Sequence, residues 1–168
     1  GDPATEVRLA IQSLGRLDRT RLIAASRLYR TKPFGPVAQG DFINAVAGVL
    51  TQMNPHELLA ALRALEAARG RKRAERWGPR ILDLDLLVYG GQRVDTPELT
   101  VPHPGIAERG FVLAPLADVA PDLDVPGAVV ELREPADADP GPFDGGAPSP
   151  RTLTDAEGRF AFVSVPDG

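Results

Sequence analysis

Residues 81–89, ILDLDLLVY, constrain the fold of this chain more than any other segment. Read as a strand, their period of two sends Leu82, Leu84 and Leu86 to one face and Asp83 and Asp85 to the other. A sheet is therefore expected, with its leucine face on the core and two carboxylates projecting side by side. Like charges on one strand face cost a few tenths to about 1 kcal/mol unless something offsets them. A bound cation removes that penalty. Magnesium takes oxygen ligands, keeps several waters and is commonly held by one or two carboxylates plus substrate phosphates, so the D-x-D pair fits a magnesium–polyphosphate site. An amphipathic strand with a solvated acidic face satisfies the same short pattern.

The neighbouring elements follow from caps and periodicity. Asp2 then Pro3 predicts an N-cap and first helical residue, with Val7, Ala10, Ile11, Leu14 and Leu17 at helical spacing. Leu22–Thr31 and Asp41–Thr51 read as paired strands joined by a Pro/Gly-containing loop, Lys32–Gly40. Asn54, Pro55 and Glu57 form a capping-box signature, followed by Leu58, Leu59, Leu62 and Leu65 on one helical face and Gly70 as the stop. A short helix is expected over Arg109–Ala120, limited or kinked by Pro115. The order helix, strand, strand, helix, strand, helix is that of an α+β ferredoxin-like βαββαβ sheet with helices on it, its first strand missing.

Composition narrows the function classes. The 168 residues include no cysteine and two histidines, which excludes a disulfide scaffold, a thiolate nucleophile and a Cys-based zinc site. No segment approaches the roughly 18 apolar residues of a membrane span and no signal peptide is evident, so a cytoplasmic protein is expected. The only methionine is Met53, which suggests a processed product or a fragment. The net charge of −4 is unevenly spread: residues 127–168 carry −5 and residues 1–126 carry +1. That acidic segment holds 6 Pro and 6 Gly in its 42 residues, so 133–150 is expected to be a linker.

Just upstream of the carboxylate pair lie Arg69, Arg71, Lys72, Arg73, Arg76 and Arg80, beside Trp77. Guanidinium groups bind phosphate oxygens bidentately and stay charged, so this run reads as a polyphosphate clamp. A solvated basic loop and a nucleic-acid contact surface compete with that reading. Nucleic acid is the weaker alternative, because the body is near neutral and its dense basic cluster is confined to one short run and forms no broad stripe.

RWGPRILDLDLL, residues 76–87, resembles the signature of the 6-hydroxymethyl-7,8-dihydropterin pyrophosphokinase family, and YRTKPFG, DFINAV and LTVPHPGIAERGFVLAPL follow the family order. The likeness runs from residue 1 to about 132. It implies an ATP-dependent diphosphokinase of folate biosynthesis that transfers diphosphate from ATP to the hydroxymethyl pterin and releases AMP. By resemblance, Asp83 and Asp85 hold two magnesium ions, and Arg71, Arg80 and these aspartates form the catalytic set. Glu66, Arg73, Trp77, Leu99, Thr100, His103 and Arg109 are expected at ATP, with Arg71, Arg73 and Trp77 on a closing loop. Thr31, Phe34, Phe42, Asn44 and Phe111 are expected at the pterin, the two phenylalanines at 42 and 111 stacking on its faces. A monomer is expected.

The chain departs from that pattern at both ends. Relatives begin with a strand that ends in a small-residue turn, and Gly1 and Asp2 look like the end of that turn. Without the strand, an interior sheet position is left empty and its two neighbours lose a hydrogen-bonding partner. An inactive truncated family member is thus one alternative; a noncatalytic ferredoxin-like module binding an anion or RNA is another. At the far end, residues 151–168 alternate as a short hairpin of unknown role, an isolated remnant or a strand source for an exposed sheet edge. The expected division is a domain over 1–132, a linker over 133–150 and this tail.

Overall fold

The computed structural model describes residues 2–32, 41–70, 82–107, 109–120 and 160–166. The expected linker therefore lies outside the described residues, as does the first half of the tail. The architecture is α+β, and among the described residues no helix is long and apolar enough to cross a membrane.

Helix α1 (Pro3–Leu14) starts where the sequence places it, with the Asp2 carboxylate accepting the Thr5 backbone N–H at 3.0 Å and the Thr5 hydroxyl at 2.8 Å. These bonds hold the Asp2 carboxyl below its ordinary pKa. Val7, Ala10, Ile11 and Leu14 are its buried stripe. The chain then forms β1 (Thr20–Ala25), β2 (Tyr29–Thr31) and β3 (Phe42–Thr51). Helix α2 (Pro55–Gly70) opens on the predicted capping box: Asn54 Oδ1 accepts the Glu57 N–H at 2.9 Å while Glu57 Oε2 accepts the Asn54 N–H at 2.8 Å. Next come β4 (Asp85–Tyr89), a small ribbon of β5 (Val94–Asp95) and β6 (Thr100–Val101), helix α3 (Gly110–Val119) with Pro115 inside it, and β7 (Phe160–Pro166).

The single strand expected over Leu22–Thr31 is two, both antiparallel to β3. Ser26 causes the break. Its N–H donates to the Val46 carbonyl at 2.8 Å, and its hydroxyl, not its carbonyl, takes the Val46 N–H at 2.9 Å. A side chain substitutes for one rung of the ladder, which lets the backbone turn away and return as β2.

The main sheet runs β1-β3-β7-β4, with β2 also on β3. Strand β7 therefore lies in the interior. It pairs antiparallel with β3 from Asn44↔Pro166 to Leu50↔Phe160, and with β4 from Asp85↔Ser164 to Tyr89↔Ala161. No position between β3 and β4 is left open. The segment that the sequence reading sets outside the domain supplies the rungs for both neighbours.

Both faces of this sheet are covered. Ile43, Ala45, Ala47 and Val49 of β3 and Ala161 and Val163 of β7 pack with Val7, Leu14, Leu58 and Leu62 of the first two helices. Val46, Leu87 and Val88 pack on the opposite side with Val112, Leu113, Leu116 and Val119 of α3. Two-sided burial explains why β3 shows no polar alternation. In β4 the alternation also stops after Leu86, because the register shifts between Leu86 and Val88. The extra residue turns Leu87 and Val88 toward α3 while Leu86 and Tyr89 stay with the other cluster.

Helix α3 is pinned at its far end by Arg27, whose Nε and Nη2 donate to the two Asp118 carboxylate oxygens at 3.2 Å each. Arg27 Nη2 also donates to the Tyr29 hydroxyl, whose pKa burial pushes up to about 12.

Ser26→Ala is expected to leave the buried Val46 N–H without its acceptor and to destabilise the chain by about 1–3 kcal/mol. Urea unfolding of the two proteins checks this, and an unchanged midpoint would contradict the assigned bond.

Candidate active site

Leu82, Leu84 and Leu86 are buried and Asp83 and Asp85 half-buried, as the alternation predicts, although β4 begins only at Asp85. Residues 82–84 precede the ladder and are held differently. Glu66, reaching from α2, accepts the Leu84 N–H on Oε1 at 2.6 Å. Leu84 lies between the two aspartates, so this bond fixes the backbone that spaces them.

Around the pair opens a cleft of about 450 Å³. Leu59, Arg63 and Glu66 of α2 form one wall, residues 83–86 the floor, and Pro97, Glu98, Leu99, Thr100, His103 and Pro104 the other wall. The structure thus brings Glu66, Asp83, Asp85, Leu99, Thr100 and His103 together. The second wall is built by the β5–β6 ribbon, whose turn is closed by Thr96: its N–H donates to the Leu99 carbonyl at 2.9 Å and its hydroxyl accepts the Leu99 N–H at 3.2 Å. The His103 N–H then donates to the Leu87 carbonyl at 2.8 Å, which ties this wall to β4.

His103 Nδ1 accepts the Gly105 N–H at 3.0 Å, so the neutral ring carries its proton on Nε2. Burial holds its pKa below the ordinary imidazole value, aided by the Arg109 charge and opposed by Asp85. Arg109 itself is exposed and sits beside the cleft. Its side chain lies close over Gly105, where a Cβ would come within 2.8 Å of its Nε and push that exposed side chain aside. The same guanidinium lies 6.0 Å from the centroid of Phe111.

A second group of expected residues gathers on the α3 side of the sheet. Asn44, only 3% exposed, donates from Nδ2 to the Thr31 hydroxyl at 2.8 Å. Thr31 faces Phe42 in the β2–β3 register. Phe42, Asn44 and Val46 share one side of β3 by period two, and half-buried Phe111 packs on the cluster that contains Val46. These residues do not line the cleft around Asp85. Val46, Ser164 and Asp85 stand in one row across β3, β7 and β4. Asn44 is thus two strand spacings of about 4.8 Å and a two-residue offset of about 6.8 Å from Asp85.

Phe34, Arg71, Arg73, Trp77 and Arg80 lie outside the described residues. Arg69 departs from the clamp expected of the basic run: its Nη2 donates to the Leu9 carbonyl at 3.1 Å and the Ser13 hydroxyl at 2.9 Å, and Nη1 lies 3.5 Å from Glu6 Oε2. Its charge joins α2 to α1. Arg63 is a cleft residue not among those expected from the sequence; the i, i+3 spacing on α2 is the signal that puts it on one face with Glu66. The ribbon was not predicted, since two-residue strands leave almost no pattern.

Among the described residues no group of three or more His, Cys, Asp or Glu converges as a metal cage. The donor set here is a pair of half-buried carboxylates, hard oxygen ligands with room beside them. That set suits magnesium completed by water and phosphate oxygens better than a metal needing an all-protein shell.

Comparison with known proteins shows the family. The model of the 7,8-dihydro-6-hydroxymethylpterin-pyrophosphokinase family matches residues 1–121. A 2-amino-4-hydroxy-6-hydroxymethyldihydropteridine pyrophosphokinase of Pseudomonas aeruginosa is 49% identical over 125 residues, covering 74% of this chain and 77% of the relative. Proteins of the same name from Methylorubrum extorquens and Haemophilus influenzae are 43% and 39% identical, over 77% and 76% of this chain and 82% and 80% of their own lengths. With a family match over most of its length and relatives up to 49% identical, the chain belongs to the 7,8-dihydro-6-hydroxymethylpterin-pyrophosphokinase family.

Proposed function

We propose that this chain binds ATP in the cleft beside Asp83 and Asp85 and transfers its terminal diphosphate to the hydroxymethyl group of 6-hydroxymethyl-7,8-dihydropterin, releasing AMP. The observation that carries the reading is the half-buried Asp83–Asp85 pair, held open toward a cleft and spaced by the Glu66–Leu84 bond. Family membership and the names of the relatives support the same reaction. We read the enzyme as a cytoplasmic monomer with a ferredoxin-like sheet in which β7 stands in the first strand's place.

Transfer of a phosphoryl-type group asks for positioning and charge neutralisation more than covalent chemistry. Asp83 and Asp85 would hold magnesium, read as two ions by resemblance, which would supply that neutralisation when bound. Asp83 and Asp85 offer the oxygen ligands. Neutral His103 turns an Nε2–H donor outward for an anionic oxygen, with Arg109 and Arg63 beside it as fixed positive charges. Leu99 and Thr100, which line the cleft, are read by resemblance as the contacts of the nucleoside end of ATP. Asn44 and Thr31 present a fixed polar edge to the pterin, and Phe42 and Phe111 offer ring faces to its plane. Phe34 belongs to this polar edge by resemblance. Arg71, Arg73, Arg80 and Trp77 complete the reading as the phosphate clamp and its closing loop.

Replacing both aspartates, Asp83→Ala with Asp85→Ala, should abolish magnesium-dependent ATP binding and lower AMP release at least 100-fold, on the order of the loss seen when preorganised charge stabilisation is removed. Binding of ATP that persists without magnesium and falls only with salt would instead favour the anion- or RNA-binding module. Phe42→Ala should raise the KM for the pterin about tenfold, the equivalent of ~1.4 kcal/mol, while ATP affinity stays unchanged.

His103 generates a pH prediction. Its folded-state pKa is below 6.5, so the unfolded chain holds the proton more tightly. The resulting stability is complete above the unfolded value and is lost as pH falls below about 6.5 toward the folded pKa. His103→Asn keeps an acceptor for Gly105 and removes the titration. Its stability, measured by denaturant unfolding from pH 7 to 5, should fall less steeply than that of the parent chain; parallel curves would refute the assignment.

A further inference from the structure

We propose that β7 is the positioning element of the site: its docking between β3 and β4 and the binding of magnesium–nucleotide at Asp83 and Asp85 form one linked equilibrium. The inference rests on the functional reading above and adds to it a dependence on the strand nearest the end of the sequence.

Three observations carry it. Among the described strands, β4, which begins with Asp85, has β7 as its only ladder partner in the main sheet. The ladder between β3 and β7 reaches from Leu50 to Asn44, so β7 is also the only strand between the carboxylate end of the site and the Asn44–Thr31 end. The rows Val46–Ser164–Asp85 and Ala47–Val163–Leu86 set the lateral spacing of the two ends, about two strand widths, through the backbone of β7 alone. Beyond this ladder, β4 and the residues just before it are tied at points that include His103 N–H to the Leu87 carbonyl, Glu66 to the Leu84 N–H, and the Tyr89 hydroxyl to the Met53 carbonyl, and its side chains pack into the two clusters.

Strand β7 is also, among the described elements, the one farthest in sequence from its predecessor: forty residues separate Val119 at the end of α3 from Phe160. Among the described contacts, β7 is held by its two ladders and by the burial of Ala161 and Val163 against the α1–α2 side. A ligand that needs Asp83 and Asp85 in place binds only the docked state, so it must stabilise docking by mass action.

The test is amide hydrogen exchange on the full chain, with magnesium–ATP affinity measured by calorimetry. Without ligand, amides of β7 and β4 should open together and faster than those of the β1–β3 ladder. At 100 times the dissociation constant, magnesium–ATP should slow β7 and β4 by the same factor, about 100-fold. Val163→Thr, which buries a hydroxyl at nearly unchanged volume, should speed exchange in both strands by one common factor of about ten or more. Three results would overturn the proposal and leave the diphosphokinase reading standing: ligand binding with unchanged β7 exchange, a Val163→Thr effect confined to β7, or one common exchange rate through the whole sheet. Absence of magnesium-dependent nucleotide binding in a chain whose β7 and β4 amides are protected would overturn the functional reading and this inference with it.

Discussion

Backbone N–H and C=O groups in the middle of a covered sheet have no water to turn to, so each interior strand must find two neighbours. In this chain helices lie on both faces of β3 and β4, and the ladder of β7 to these two neighbours meets that requirement. Remove those rungs, and β3 and β4 become two half-sheets with their inner edges exposed. The α1–α2 cluster would also lose Ala161 and Val163. The core, the sheet and the site thus share one dependence.

The site uses the boundary of that sheet. Asp85 is the first residue of β4 and Asp83 precedes it, so their carboxylates stand where the ladder gives way to irregular backbone. There the Glu66–Leu84 bond takes over from strand pairing as the device that fixes the backbone. The β5–β6 ribbon and His103 close the other side and are fastened back to β4 through Leu87. Polar groups converge at the end of the sheet because its two faces are already filled by leucine, valine and isoleucine. The α3 side repeats the logic: Asn44 is buried, and its amide is satisfied by Thr31 across the ladder.

Local chemistry was legible wherever neighbours in sequence are neighbours in space. The Asp2 cap, the Asn54–Glu57 box and the Leu82/Asp83/Leu84/Asp85 alternation each depend on atoms a few residues apart, and each is found as expected. The family signature around Asp83 and Asp85 lies in such a stretch. Features set by distant partners were not legible. Ser26 splits the long predicted strand because of Val46, twenty residues on; Arg69 leaves the basic run because Leu9 and Ser13 of α1 face it; Leu87 and Val88 break the alternation because α3 covers the second face.

The sequence by itself determined the helices and their caps, the carboxylate pair and its chemical class, because these follow from short-range periodicity and from the ligand preferences of side chains. Only the tertiary structure decided that Phe160–Pro166 runs between β3 and β4, and that Glu66, Thr100 and His103 meet around Asp85. A strand's own pattern states which faces it offers but not which edges it will join. That choice belongs to the hydrogen-bonding groups left open elsewhere in the fold.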